Sequence, residues 1–366
     1  MDVEQRRTEA ARRSERIGQR SVQHTPVEAL VPRGRLDVHT IHCAALEGNA
    51  RGDPADRPCA VYLPEGYQGS SEPYPVVVLL HAFMGSCLGW FNTSPFTLGI
   101  LERLDALFAS GVPPFLAVFP DGWTALGGSQ WMDSPGNGNY GRMVVRDVLG
   151  HVERTYRTVP GAAARAVAGR SSGGYAGWSL VRSFPGTFGH LVSHSADAYF
   201  EYCYLPEFPK AASALLRAGG VEPWWASFVR RAAETKMGGD DHAVVNLLAM
   251  SAAYSPDASA PLGVRLPFEP STARVLDGVW ARWLAADPVR FVPADPEPFR
   301  ALGSVFVDCG SRDEFGLRWG ARMLAELLRS ARVDVLHEEY DDGHMGTTYR
   351  LDRSLRWLAP RLARSG

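Results

Sequence analysis

Ser171, Asp313 and His344 are residues of the types that together carry out acyl transfer. A serine hydroxyl is a weak nucleophile at neutral pH and needs a base to take its proton. Histidine can be that base when a carboxylate fixes its tautomer and stabilises the imidazolium. Ser171 lies in Gly169-Arg170-Ser171-Ser172-Gly173, a G-x-S-x-G pattern. His344 lies in Gly343-His344-Met345-Gly346, and Asp313 stands three residues beyond Gly310. The order is serine, aspartate, histidine, with separations of 313 − 171 = 142 and 344 − 313 = 31 residues. The second separation fits one helix and one strand, and the first leaves room for an insertion. Asp308 and the adjacent Glu314 are rivals for the carboxylate role, but Asp308 falls within a strand pattern and Asp313 lies where the chain has left it.

These side chains need a scaffold that turns sharply at Ser171. A short apolar run at 166–168 precedes the G-x-S-x-G pattern and a small-residue helical pattern follows it, the strand–turn–helix context of a nucleophile elbow. The serine in such a turn has a strained backbone, and the flanking glycines avoid collisions there. The Ser172 N–H then starts the helix, placed to stabilise an oxyanion. A second donor is expected from the turn after the apolar run at 74–81, where we assign the Phe83 N–H, with Met84 the neighbouring candidate. His81, at the start of that turn, is read as a structural hydrogen-bonder.

Continuous apolar runs such as 76–80 are those of strands buried on both faces of a parallel sheet. Strands are predicted at 35–46, 60–64, 74–81, 115–119, 166–168, 189–195, 304–310 and 333–338. Helices are predicted at 98–108, 143–155, 318–328 and 351–362. The alternation gives an α/β fold with a mostly parallel central sheet flanked by helices. Strand ends in such sheets face a crevice. Met84, Trp131, Asp197, Tyr199 and Trp224 are the candidates for substrate contact, with His194 a further residue near the crevice. The rhythm breaks over 200–292, where helical patterns around Trp224 and around Trp280 read as an inserted helical cap. The division is therefore a charged arm at 1–34, core at 35–199, cap at 200–292 and core at 293–366.

Composition narrows the class. With 38 basic and 40 acidic residues the chain carries a net charge of −2, which argues against a nucleic-acid binder. Gly136-Asn137-Gly138-Asn139-Tyr140-Gly141 matches the spacing of a dinucleotide fingerprint, but no strand precedes it, so the cofactor reading fails. The five cysteines have no metal-ligand spacing and read as free thiols of a reducing compartment, with a Cys43–Cys59 disulfide the less favoured alternative. Asp240-Asp241-His242 is a weak metal motif. No metal or cofactor is expected. The first twenty residues lack an apolar stretch and no run is long enough to span a membrane, so a cytoplasmic setting is expected.

Several stretches together resemble a known family, the esterase D or putative esterase group of α/β-hydrolases. They are Val61-Tyr62-Leu63-Pro64-Glu65-Gly66-Tyr67, Val78-Leu79-Leu80-His81, Phe119-Pro120-Asp121-Gly122, the approach from Asn139-Tyr140 to Tyr156-Arg157, Gly169-Arg170-Ser171-Ser172-Gly173-Gly174, and Gly343-His344. The resemblance covers roughly 60–199 and 304–362, outside the arm and the cap. It implies an α/β-hydrolase fold, the same three catalytic residues and no cofactor or metal. Ala82 stands where relatives usually have glycine. The expected activity is hydrolysis of a small acyl ester or thioester through an acyl-enzyme. An acyltransferase or cyclising thioesterase using the same residues is the alternative, and the sequence leaves room for a homo-oligomer.

Overall fold

The computed structural model describes residues 32–363. All but the last residues of the charged N-terminal arm lie outside that range. The main sheet has eight strands: β1 (Arg35–His42), β2 (Asp56–Leu63), β3 (Val76–Leu80), β4 (Leu116–Pro120), β5 (Arg165–Arg170), β6 (His190–His194), β7 (Ser304–Gly310) and β8 (Val335–Tyr340). Their spatial order is β1-β2-β4-β3-β5-β6-β7-β8. β1 and β2 run antiparallel to their neighbours, and β3 to β8 are parallel. This is the mostly parallel sheet that the alternating pattern predicts, in the α/β-hydrolase arrangement that the resemblance implies.

Alternation along β3 explains why its run is continuously apolar. Val76, Val78 and Leu80 enter one hydrophobic cluster and Val77 and Leu79 the other, so both faces of the strand are buried. Helix α1 (Ile100–Ala109) covers one face, while α2 (Leu149–Thr155) lies on the other. The helical path into α2 begins at Tyr140 and widens to a π-turn over Met143–Val148. Helix α3 (Ser172–Ser183) follows the serine directly and is buried over most of its length.

Between β6 and β7 the chain forms a helical insertion with α4 (Phe208–Ala218), α5 (Val221–Glu234), α6 (Asp241–Tyr254), α7 (Asp277–Leu284) and α8 (Pro288–Ala294). The patterns around Trp224 and Trp280 correspond to α5 and α7. Helix α6 was not visible in the sequence: it is apolar nearly all round and nearly all buried, so it has no amphipathic stripe to detect. The helical run also continues past 292, through Glu297–Arg300.

Helix α9 (Leu317–Ser330) joins β7 to β8, and α10 (Arg350–Leu358) follows β8. The last strand starts two residues later than its apolar pattern suggests. Arg332 adopts a left-handed conformation (φ 63°) and the Val333 N–H returns 2.9 Å to the Leu328 carbonyl, so Val333 still belongs to the helix end. The five cysteines are buried free thiols, Cys43 and Cys59 included. Among the described residues no helix is long and apolar enough to cross a membrane.

Candidate active site

Ser171 sits between β5 and α3 with φ 56° and ψ −124°, a strained conformation for a residue with a side chain. Its N–H donates to the His194 carbonyl (2.9 Å), and its own carbonyl accepts the Tyr175 N–H (2.8 Å). The turn closes only because its neighbours lack side chains. A Cβ on Gly169 would overlap the Gly173 backbone, and one on Gly173 would overlap the Leu80 carbonyl. A Cβ on Gly174 would approach the His194 carbonyl to 2.8 Å.

The Ser172 N–H is at the first position of α3 and has no partner among the described residues, as expected at a helix start. The Phe83 N–H is likewise unpartnered, whereas the Met84 N–H donates to the Gly127 carbonyl (3.0 Å). Of the two candidates after β3, only Phe83 therefore retains a free donor. His81 supports the turn. Its Nε2 accepts the Gly122 N–H (2.9 Å), which leaves the proton on Nδ1 to be donated to the Ala82 carbonyl (2.9 Å). Burial holds its pKa below the ordinary value, in keeping with a neutral structural ring.

His344 Nε2 lies 3.2 Å from Ser171 Oγ, and its Nδ1 lies 2.8 Å from Asp313 Oδ2. Asp313 is held in turn by the Phe315 N–H (3.0 Å) on its other oxygen. An ionised Asp313 requires the His344 proton on Nδ1, which leaves Nε2 as the acceptor facing serine. Asp308 does something else. It lies within β7, 2.6 Å from His194 Nδ1 and 2.9 Å from Arg350 Nε, while His194 Nε2 contacts Ser354 Oγ (2.9 Å). That buried network ties β6 and β7 to α10.

Arg170, which sequence reasoning missed, and Glu314, which it weighed only as a rival to Asp313, fix the His344 peptide. Arg170 Nη1 donates to the His344 carbonyl (2.6 Å), and Glu314 Oε2 accepts the His344 N–H (2.7 Å). Each is the chain neighbour of another of the three candidate catalytic residues. Glu314→Ala is expected to lower kcat about 10- to 100-fold, because small displacements of a reacting group are costly. KM should move little. Glu314→Gln, whose amide oxygen can still accept the N–H, is expected to retain most activity. Steady-state kinetics on both variants checks this, and a Gln variant as impaired as Ala would refute it.

A cavity of about 100 Å³ lies over Ser171 and His344, bounded by Phe83, Phe315 and Asp197. The helical insertion contributes Tyr204, His242 and Asn246 to its wall. Asp197 is the one substrate-contact candidate of the five that lines it. Trp131 is instead buried behind the turn after β3: its indole N–H donates to the His81 carbonyl (3.1 Å), and its ring packs where Gly122 leaves room. Trp224 stacks on Phe228 inside the insertion, with ring centroids 5.0 Å apart. Tyr199 has a left-handed backbone (φ 57°) and uses its N–H on Asp287 (3.0 Å). Met84 lines a larger neighbouring cavity of about 690 Å³. The weak metal motif is occupied by an ion pair, Asp241 with Arg231 at 3.0 Å.

A further missed residue is Gln130, buried, with φ 53°. Its Oε1 accepts the Ser172 hydroxyl, and its Nε2 lies within 2.9 Å of Asp197 and 2.8 Å of the Tyr254 hydroxyl. Nothing in the local sequence signals this role, since its partners come from three distant elements.

A family model described as Putative esterase matches residues 54–352. Esterase Rv1288 of Mycobacterium tuberculosis strain H37Rv is 30% identical over 167 residues, which are 44% of this chain and 34% of that protein. Esterase MT1326 of strain CDC 1551 matches to the same extent. The chain thus spans about a third of the length of these curated relatives. Among solved structures, a ferulic acid esterase superposes with a TM-score of 0.58 at 18% identity, covering 90% of this chain and 100% of that one. FphF, a fluorophosphonate-binding serine hydrolase of Staphylococcus aureus, gives 0.55 at 12% identity, with 89% and 98% covered. An S-formylglutathione hydrolase from Agrobacterium tumefaciens gives 0.54 at 15% identity, with 91% and 97% covered. At these identities the structural likeness concerns the fold.

Proposed function

The chain belongs to the putative esterase family, and from that premise we propose that it cleaves carboxylic esters by way of an acyl-enzyme on Ser171. The family match and the relatives named as esterases support a carboxylic ester hydrolase. In the proposed mechanism His344 Nε2 takes the Ser171 proton as Oγ attacks the ester carbonyl. Asp313 orients His344 and stabilises its imidazolium. The Phe83 and Ser172 N–H groups receive the oxyanion, with the positive end of α3 behind Ser172. The imidazolium then protonates the departing alcohol, and water repeats the sequence in reverse to release the acid.

The observation that carries this reading is the 3.2 Å approach of His344 Nε2 to Ser171 Oγ beside two unpaired N–H groups. Treatment with a fluorophosphonate followed by peptide mapping tests it. One adduct, on Ser171, is the expected result. Folded protein that forms no adduct would overturn the assignment.

Capture of the acyl group by an alcohol or amine is the second reading, favoured by the insertion residues that wall the cavity and would exclude water. Product analysis with a competing alcohol separates the two. The five buried free thiols support a reducing compartment, and with it a cytoplasmic setting.

A further inference from the structure

The cavity over Ser171 contains a carboxylate that the proposed mechanism does not use. Asp197 Oδ2 is saturated: it accepts from Gln130 Nε2 (2.9 Å) and from the Tyr204 hydroxyl (2.9 Å). Its Oδ1 has no hydrogen-bond partner among the described residues, yet it is not among the buried polar atoms sealed off from solvent. Asp197 lines the cavity shared by Ser171 and His344, so Oδ1 is open to whatever enters there. No Arg, Lys or His forms an ion pair with Asp197 among the described residues.

This arrangement becomes unfavourable when a ligand displaces solvent from Oδ1 without replacing its hydrogen bonds. A carboxylate that has lost its water costs free energy unless hydrogen bonds or a counter-charge replace it. Burial pushes the Asp197 carboxyl above its ordinary pKa, with the Gln130 and Tyr204 hydrogen bonds opposing that rise. The fixed geometry of Oδ2 also prevents the side chain from rotating to satisfy Oδ1 with the same donors. By contrast, Asp308 is paired on both oxygens, with His194 and Arg350, and so is Asp287, with Arg290 and three backbone N–H groups. Asp197 presents an acceptor without a protein partner to the cavity that holds Ser171 and His344.

Resting on the ester-hydrolase reading, we propose that Asp197 Oδ1 is a specificity site for a hydrogen-bond-donating substituent, a hydroxyl or a protonated amine, on the short acyl or alcohol part of the ester. The volume of about 100 Å³ limits that part to a few heavy atoms, and His242 and Asn246 add polar groups to a wall that is otherwise largely apolar. A plain hydrocarbon in the same place would leave Oδ1 desolvated and unpaired, and a charge-assisted bond would replace that penalty with a gain.

Asp197→Asn gives a clear test. The Asn carbonyl can take over both bonds made by Oδ2, and the amide NH₂ then occupies the Oδ1 position, which changes the acceptor into a donor. The assay compares kcat/KM for small esters that differ only by methyl, hydroxyl or ammonium at one position, in an acyl series and an alcohol series. In one series the wild-type protein should prefer the hydroxyl or ammonium ester over the methyl ester by about tenfold or more, the scale of one hydrogen bond to a charged group. In Asp197→Asn that ratio should fall to about one or below. An ammonium preference identifies a cationic substrate, and a hydroxyl preference without one identifies a neutral substrate. Ratios near one in both series with active enzyme, or an unchanged ratio in Asp197→Asn, would overturn the proposal. Absence of any ester turnover together with absence of a fluorophosphonate adduct would instead overturn the hydrolase reading on which it rests.

Discussion

Ser171→Ala is expected to lower kcat by about 10⁶-fold, the loss seen when a triad enzyme loses its nucleophile. The argument is one of bond-making. No other hydroxyl or thiol lies within hydrogen-bonding distance of His344 Nε2 among the described residues; Cys203 lines the same cavity, but burial pushes its thiol well above the ordinary pKa. Burial pushes Cys43 and Cys87 up to about 12, so neither supplies a thiolate at neutral pH. The Ser172 hydroxyl cannot substitute, because it is spent on Gln130. The fold should remain. Among the described residues Ser171 Oγ hydrogen-bonds to His344 alone, and the unfolding free energy of the variant should stay within about 0.5 kcal/mol of wild type. Kinetics on an activated ester beside a denaturant titration checks both halves. Retention of more than about 1% of kcat by a folded variant would remove Ser171 from the mechanism.

Asp313 and Asp308 should respond to substitution in opposite ways. Asp313→Asn is expected to lower kcat by about 10⁴-fold with little effect on stability, because an amide at that position favours the wrong histidine tautomer. Asp308→Ala is expected to destabilise the fold by about 3–5 kcal/mol, the cost of breaking a buried charged pair by removing one partner. It leaves His194 Nδ1 without its partner at 2.6 Å and Arg350 with Glu338 alone. The two residues are five positions apart, at opposite ends of the same strand-to-loop passage. A large loss of kcat in folded Asp308→Ala with an unimpaired Asp313→Asn would reverse the assignment.

The sequence made legible whatever depends on local pattern. The runs in β3, β4 and β7 were readable because burial on both faces leaves them apolar throughout. The elbow was readable because its glycines answer to contacts within a few residues and to one neighbouring strand. The same reasoning fails where a side chain finds its partners through the fold. Gln130 serves Ser172, Asp197 and Tyr254, which are 42, 67 and 124 residues away, so no spacing announces it. Trp131 and Trp224 are candidates for substrate contact on sequence grounds. In the fold one braces the His81 turn and the other fills the insertion, as tryptophan more often does. Helix α6 illustrates a third limit, since a segment buried on every side has no period to read.

The glycines at 169, 173 and 174 bring backbone against backbone, so no side chain mediates the spacing between the elbow and the strands on either side of it. The distance from the serine to the turn that carries Phe83 is therefore set by main-chain contact and is insensitive to repacking elsewhere. The insertion lends the cavity wall Tyr204, His242 and Asn246, whose side chains can change without touching those contacts. The molecule thus separates an invariant reaction geometry from an adjustable selectivity surface, and descendants of this chain could acquire new substrates by remodelling the second without recalibrating the first.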